Sequence, residues 1–313
     1  ASPRRLRIYS ETLPFSDLLR RRTLDLIARY ELELVLAVRP WDEGSLPDVA
    51  SALRDAGVPL SIWPMLADAD GRWASVHNAA TFGRFVRSTC DRLETAGVRP
   101  RDVLFDLEPP FAEARSLASI GGADARGASG LLRSWSTHLR SRAAFAAASR
   151  ELARTVADVE SRGIATSSAV WPLVALDPRG ASVWQSVLGT PIDALGTGHV
   201  SVMMYTSILE GWSRGALRRR DTTALLVAAT ERALGRWGPM AGISLGCVGT
   251  GALEDEPVYR RPQELAEDAA LARAAGCESL TLFDLGGVLA RAPAEAWLDA
   301  FTAEDASPVD VRA

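Results

Sequence analysis

Two carboxylates two residues apart, Asp106 and Glu108, close a run over residues 103–109 that is otherwise apolar and β-prone. Side chains alternate along an extended strand, so Leu104, Asp106 and Glu108 share one face while Val103, Phe105 and Leu107 share the other. With the apolar trio against helices, both carboxylates face the opposite side. They stand about 7 Å apart along the strand at roughly 3.3 Å per residue, near enough for their tips to lean together. Such crowding raises one of the two pKa values, which a general acid working near neutral pH requires. The competing reading is structural, with ion pairs to arginines such as Arg39 or plain solvation at a rim. An apolar strand has no packing reason to carry both carboxylates, and that favours chemistry.

The surrounding elements say how such a pair would be held. Short β-rich runs alternate with longer helical patterns, the signature of a parallel sheet covered by helices. Strands are expected at 6–12, 34–40, 60–66, 103–109, 164–173, 200–207, 242–248 and 279–285. Helices are expected at 15–30, 47–56, 79–96, 131–162, 222–237 and 262–275, with a weaker one at 182–188. Gly57, Gly97, Gly163 and Gly276 stand where left-handed caps would stop four of these helices. Eight units form either an open doubly wound sheet or a closed barrel, and the count favours closure. The first strand-to-helix turn, Glu11-Thr12-Leu13-Pro14, lacks a dinucleotide fingerprint. The expected fold is α/β, a (β/α)8 TIM barrel, with residues 1–313 forming one domain.

In such a barrel the chemistry sits at the C-terminal ends of the strands. Those ends carry Tyr9 and Glu11, Arg39 and Trp41, Trp63, Asp106 and Glu108, Trp171, Met203 and Tyr205, and Phe283 and Asp284. Five of these aromatics, Tyr9, Trp41, Trp63, Trp171 and Tyr205, suit the apolar faces of sugar rings, and an indole N–H adds a polar handle. His77, His138 and His199 form no motif, so a catalytic metal site is not expected. Cys90, Cys247 and Cys277 have neither metal-ligand nor disulfide-framework spacing and read as buried small hydrophobes.

All 35 basic residues are arginine, which excludes Schiff-base chemistry on a lysine and the lysine of a P-loop. A net charge of -4 and a pI near 5.6 provide no basic field for nucleic acid. No stretch reaches the roughly 20 apolar residues of a membrane helix, so membrane insertion is not expected. The chain begins at Ala1, which fits either a removed export signal or a trimmed terminus; the compartment stays open.

The segment Asp102-Val-Leu-Phe-Asp106-Leu-Glu108 resembles the strand-four signature DxxDxDxE of family 18 glycoside hydrolases, the chitinase-like proteins. Met203-Met204-Tyr205 is similar to that family's M-x-Y. The resemblance implies a TIM barrel in which Glu108 protonates the glycosidic oxygen. It implies likewise that Asp106 orients the substrate's 2-acetamido group and that Tyr205 supports it. The chain departs from the pattern at Arg101 and Leu104, where the family has aspartates, and at Thr206. The family's strand-eight tryptophan is also absent, leaving Phe283-Asp284. A conventional carboxylate pair, Glu108 with Glu11 or Asp284 across the mouth, would serve a sugar without the acetamido group.

The expectation is therefore a glycoside hydrolase acting without metal or organic cofactor on an oligosaccharide or glycoside. Tyr9, Glu11, Arg39, Trp41, Trp63, Trp171, Met203 and Asp284 would contact the substrate. Two alternatives stand beside it. A phosphosugar isomerase or lyase would bind phosphate at Gly246, Gly249, Gly251, Gly286 and Gly287, although Glu254, Asp255 and Glu256 would repel an anion there. A carbohydrate-binding barrel without catalysis is the other.

Overall fold

The computed structural model describes residues 4–111, 142–178, 181–251 and 254–303. Eight parallel strands close into a barrel in chain order: β1 Arg5–Ser10, β2 Glu33–Val38, β3 Leu60–Pro64, β4 Asp102–Leu107, β5 Ala165–Val170, β6 His199–Met204, β7 Ala241–Gly246 and β8 Ser279–Phe283. Closure is made by β1 against β8, with Arg5 opposite Ser279 and Ile8 opposite Leu282. The strands are short and largely buried on both faces, as strands in an all-parallel sheet must be.

Between them run helices such as Leu46–Asp55, Ala79–Thr95, Arg142–Ser161, Arg219–Trp237 and Pro262–Ala274. Gly57, Gly97, Gly163 and Gly276 all adopt positive φ, from 67° to 98°, at the expected helix ends. The expected helix over 15–30 is broken into Phe15–Leu18 and Arg21–Arg29. Of the expected helix over 131–162, residues 131–141 lie outside the described residues, as does His138.

The apolar interior is divided in two by the sheet. Val103, Phe105 and Leu107 join the larger cluster between strands and helices, while Leu104 joins Tyr9, Trp63, Met203 and Phe283 inside the barrel. The alternation expected for β4 is thus present.

The floor of the barrel is polar. Arg7 is fully buried there and donates to Thr281 Oγ1 at 3.0 Å, Ser167 Oγ at 3.5 Å and His199 Nδ1 at 3.2 Å. Arg5 pairs with Glu33 at 2.5 Å and Asp102 at 2.7 Å. Burial first, and then the two arginines, hold the His199 pKa well below its ordinary value. The ring is therefore neutral, with Nδ1 accepting from Arg7 and Nε2–H donating to Ser279 Oγ at 2.8 Å. His199 is a floor residue, remote from the opposite rim where the carboxylates lie. Cys90, Cys247 and Cys277 are buried free thiols. No helix among the described residues is long and apolar enough to cross a membrane.

Candidate active site

The side chains at the C-terminal rim enclose a cavity of about 280 Å³, close to the lower end of the roughly 300–1,000 Å³ usual for ligand pockets. Tyr9, Glu11, Trp63, Asp106, Glu108, Trp171, Met203 and Tyr205 all line it, so eight of the eleven residues singled out in the sequence share one space. Trp73, Trp212, Phe283 and Glu256 also stand in its walls.

Asp106 is the last inward residue of β4, and Glu108 follows just past the paired strand. Trp63 Nε1 donates to Asp106 Oδ2 at 3.1 Å, and Trp171 Nε1 donates to Glu108 Oε2 at 2.6 Å. Asp106 and Glu108 act on each other, each shifting the other's ionisation, and Asp106 Oδ1 is buried with no hydrogen-bond partner among the described residues. Burial is the main cause that pushes Asp106 well above the ordinary range, and repulsion from Glu108 adds to it. Burial also drives Glu108 up to about 7, against the stabilising indole of Trp171. Among the described residues no guanidinium ion-pairs with either acid: Arg39 and Arg72 are both turned to Glu11, at 3.9 and 3.1 Å. The pair is thus neither neutralised by arginine nor fully in water, since Asp106 is buried and Glu108 half-buried.

Local structure fixes the remaining walls. Trp171 leaves β5 just before Pro172, the first residue of a 3-10 turn, and the proline ring restricts that exit. Tyr205 caps the helix Thr206–Trp212, whose far end brings Trp212 to the cavity. The start of this helix is held from outside the barrel. Asp268, fully buried, accepts from Thr206 Oγ1, from Tyr259 OH at 2.6 Å and from Arg219 Nη2 at 2.6 Å. Trp73 arrives on the loop after β3, where Ala74 bridges to Leu107 and its N–H donates to the Asp106 carbonyl at 2.9 Å. That loop extends the edge of β4 and lays an indole beside the acid pair.

Three of the expected residues are placed elsewhere. Arg39 and Trp41 line a neighbouring hollow of about 450 Å³ with Asp68, Arg72 and Glu254, and Trp41 is 65% exposed with the Arg39 guanidinium 5.8 Å from its ring. Asp284 is buried outside the cavity wall, where its Oδ1 accepts from Gly287 N at 3.0 Å and caps the short helix Leu285–Ala290. A strand-end aspartate can cap the next helix as readily as face the mouth, and here the cap prevails.

Two of the glycines considered for a phosphate have their N–H groups engaged. The N–H of Gly287 is given to Asp284, and that of Gly251 to Glu256 Oε2 at 3.0 Å. A β-carbon on Gly287 would fall 2.1 Å from Gly249 N and 2.3 Å from Gly249 Cα. Glycine is needed there because two backbones cross. Gly287→Ala should consequently lower stability by about 1–3 kcal/mol, read as a fall in the urea midpoint; an unchanged midpoint would contradict the packing argument.

No family model matches the chain, and no curated protein sequence matches it. Solved structures do. The PgaB (BpsB) glycoside hydrolase domain from Bordetella bronchiseptica superposes with a TM-score of 0.56 at 12% identity, covering 97% of this chain and 100% of that one. A plant class V chitinase mutant from Cycas revoluta in complex with (GlcNAc)3 gives 0.54 at 12% identity, over 95% and 99% of the two chains. A family GH18 chitinase from Cycas revoluta in complex with allosamidin gives 0.52 at 12% identity, over 95% and 98%. At such identities the likeness is one of fold: this chain is a closed eight-stranded parallel barrel of the kind found in glycoside hydrolases, family 18 chitinases among them.

Proposed function

We propose that this protein hydrolyses a glycosidic bond in an oligosaccharide, with Glu108 as the general acid. The observation that carries the reading is the Asp106–Glu108 pair: two neighbouring, mutually interacting carboxyls that no guanidinium ion-pairs among the described residues, on the wall of a cavity rich in aromatic rings. Burial keeps a proton on the pair near neutral pH, and Glu108, the outer and half-buried member, is the one a substrate can reach. Its proton passes to the glycosidic oxygen as the bond to the anomeric carbon breaks and the leaving sugar departs as an alcohol; water then forms the new bond to the anomeric carbon and gives a proton back to Glu108. Asp106, held by Trp63, accepts a hydrogen bond from the substrate.

Tyr205 brings its phenol to the same cavity; among the described residues its hydroxyl has no hydrogen-bond partner, and burial raises its pKa well above the usual value. It therefore stays protonated and donates to oxygen in the transition state. Trp63, Trp73, Trp171 and Trp212 supply flat apolar surface for pyranose rings. The fold likeness to chitinases, one of them bearing (GlcNAc)3, makes N-acetylated and related sugars the first panel to try. This reading calls for no metal or organic cofactor, and the two hollows on one rim fit a chain of more than one sugar.

The test is release of reducing ends from oligosaccharides as a function of pH. The acid form of Glu108 does the work, so activity is present below its pKa and lost as pH rises through about 7. A basic limb falling near pH 4–5, the ordinary glutamate range, would remove Glu108 from the role.

A further inference from the structure

The loop after β3 is pinned at three places outside itself. Met65 N–H donates to the Val38 carbonyl at 2.8 Å, Ala74 N–H to the Asp106 carbonyl at 2.9 Å and Val76 N–H to the Gly189 carbonyl at 3.0 Å. Within the loop, Leu66 N–H donates to the Arg72 carbonyl at 2.8 Å, and Asn78 Nδ2 donates to the Trp73 and Asp70 carbonyls at 2.8 and 3.0 Å. Arg72 sits in this frame at φ 55°, in the left-handed region that glycine enters freely and other residues enter at a cost. A long charged side chain in such a conformation, only 7% exposed, is explained by what it reaches.

Arg72 lies behind the cavity wall and lines the neighbouring hollow. Its Nη1 donates to Glu11 Oε1 at 3.1 Å, and its Nε and Nη2 meet Asp68 Oδ1 at 2.8 and 2.7 Å, so each of its nitrogens is engaged. The guanidinium carbon stands 4.5 Å from the centre of the Phe111 ring and 5.7 Å from that of Trp73, and aromatic faces attract a cation. Arg39 approaches the same Glu11 oxygen at 3.9 Å from a more exposed side, so Arg72 is the inner of the two cations. Several elements face charge toward Glu108. Asp106 precedes it on β4, Glu256 comes from the loop after β7 and Glu11 from the end of β1, while burial keeps the phenols of Tyr9 and Tyr205 protonated. The positive field of Arg72 also reaches Glu108 and opposes the burial that drives it up to about 7.

We propose that Arg72 is a positioning residue of this site: from behind the wall it holds Glu11 and Trp73 in place and supplies the positive charge that favours the Glu108 carboxylate left after proton transfer. The proposal rests on the glycosidase reading, in which Glu108 gives its proton to the leaving sugar. Asp106, Glu11 and Glu256 stand around that proton, and each of them, when ionised, disfavours the anion that its loss creates. A cation at a fixed place offsets part of this repulsion without touching the substrate. The ties of Arg72 to Asp68, Glu11, Phe111 and Trp73 also keep it from swinging in to pair with Glu108, which would leave the acid ionised and without a proton to give.

The experiment compares wild type with Arg72→Met, which keeps apolar contact with Phe111 and Trp73 and removes the charge, and with Arg72→Lys, which keeps the charge and loses the fork that serves Glu11 and Asp68 together. In the pH dependence of kcat/KM for oligosaccharide hydrolysis, Arg72→Met should move the falling limb to higher pH by up to about one unit, the lower end of what a neighbouring opposite charge does to a carboxyl. On the acid side kcat should fall by roughly three- to tenfold, the response of a weakened general acid, with KM changed no more than a few-fold. Arg72→Lys should keep the limb close to its wild-type position. Loss of wall packing alone would lower kcat or the melting temperature and leave the limb where it is. A limb unmoved in Arg72→Met, or moved equally in Arg72→Lys, overturns the proposal while hydrolysis stands. Arg72→Gln, which keeps a donor for Glu11, takes the place of the methionine variant if that protein does not fold. The same ionisation is read without turnover by NMR, from the signal of protein labelled at the glutamate carboxyl carbon that is missing in Glu108→Gln. An upward move in Arg72→Met that Arg72→Lys reverses supports the proposal, and superimposed titrations overturn it. Absence of turnover in every protein defeats the glycosidase reading instead, and the titration then decides the role of Arg72 alone.

Discussion

Glu108→Gln should lower kcat by about 10²–10⁴-fold, the usual contribution of a positioned general acid, while KM changes by no more than a few-fold. The substitution is close to isosteric and keeps an oxygen to accept the Trp171 indole N–H, so the cavity wall should hold its shape. What it removes is the transferable proton. Binding draws on the aromatic walls and is made equally in ground and transition states, whereas proton donation matters only as the glycosidic bond breaks; the loss should therefore fall on kcat. A variant with raised KM and unaltered kcat would make Glu108 a binding residue. Trp171→Phe gives a milder form of the same test. Without its indole the Glu108 carboxylate loses a stabilising donor, the acid form is favoured further, and the falling limb of the pH profile should move to higher pH.

Asp268→Ala should cost about 3 kcal/mol of stability, the lower end of the range for breaking a buried pair, and lower the melting temperature by roughly 10 °C at a few degrees per kcal/mol. Asp268 joins three elements: Thr206 at the start of the helix behind Tyr205, Tyr259 in the loop after β7, and Arg219 opening the helix Arg219–Trp237. The lower end of the range applies because Arg219 is 24% exposed and keeps Glu210 and Glu267 as partners, so its charge is not stranded. The buried Thr206 and Tyr259 hydroxyls lose their acceptor outright. Because Thr206 adjoins Tyr205, turnover should fall as well, even at temperatures where the variant is fully folded. A variant with wild-type melting temperature would show that the hub carries little of the rim's stability.

The two outcomes bear on parts of the molecule that the sequence revealed unequally. Each strand begins within one residue of its expected start. The expected strands end two or three residues late. β-prone side chains continue past the last ladder pair, and Glu108, Trp171 and Tyr205 occupy that overhang, outside the strands proper. Alternation along β4 was legible for the same reason that it exists, since the Leu107 face must meet helices. Trp73 could not be reached this way. It sits in a loop, and only the pairing of Ala74 with Leu107, distant in sequence, brings it to the cavity. Trp212 was hidden because the expected strand over 200–207 ran through the first turn of its helix. Glu256 was visible only as one member of an acidic loop, and the sequence could not tell which of three acids turns inward. Asp284 and Trp41 show the converse: strand-end position is shared by cavity residues, helix caps and an exposed rim indole, and sequence position alone does not separate them.

The most direct test of the central claim is a time course of reducing-end release from acetylated, partly deacetylated and unsubstituted oligosaccharides, with wild type and Glu108→Gln prepared side by side. The account predicts steady release by wild type from at least one class and its near disappearance in the variant, with calorimetric binding retained by both. Release at equal rates from the two proteins would contradict the assignment of Glu108, and binding without release by either would make this barrel a carbohydrate receptor.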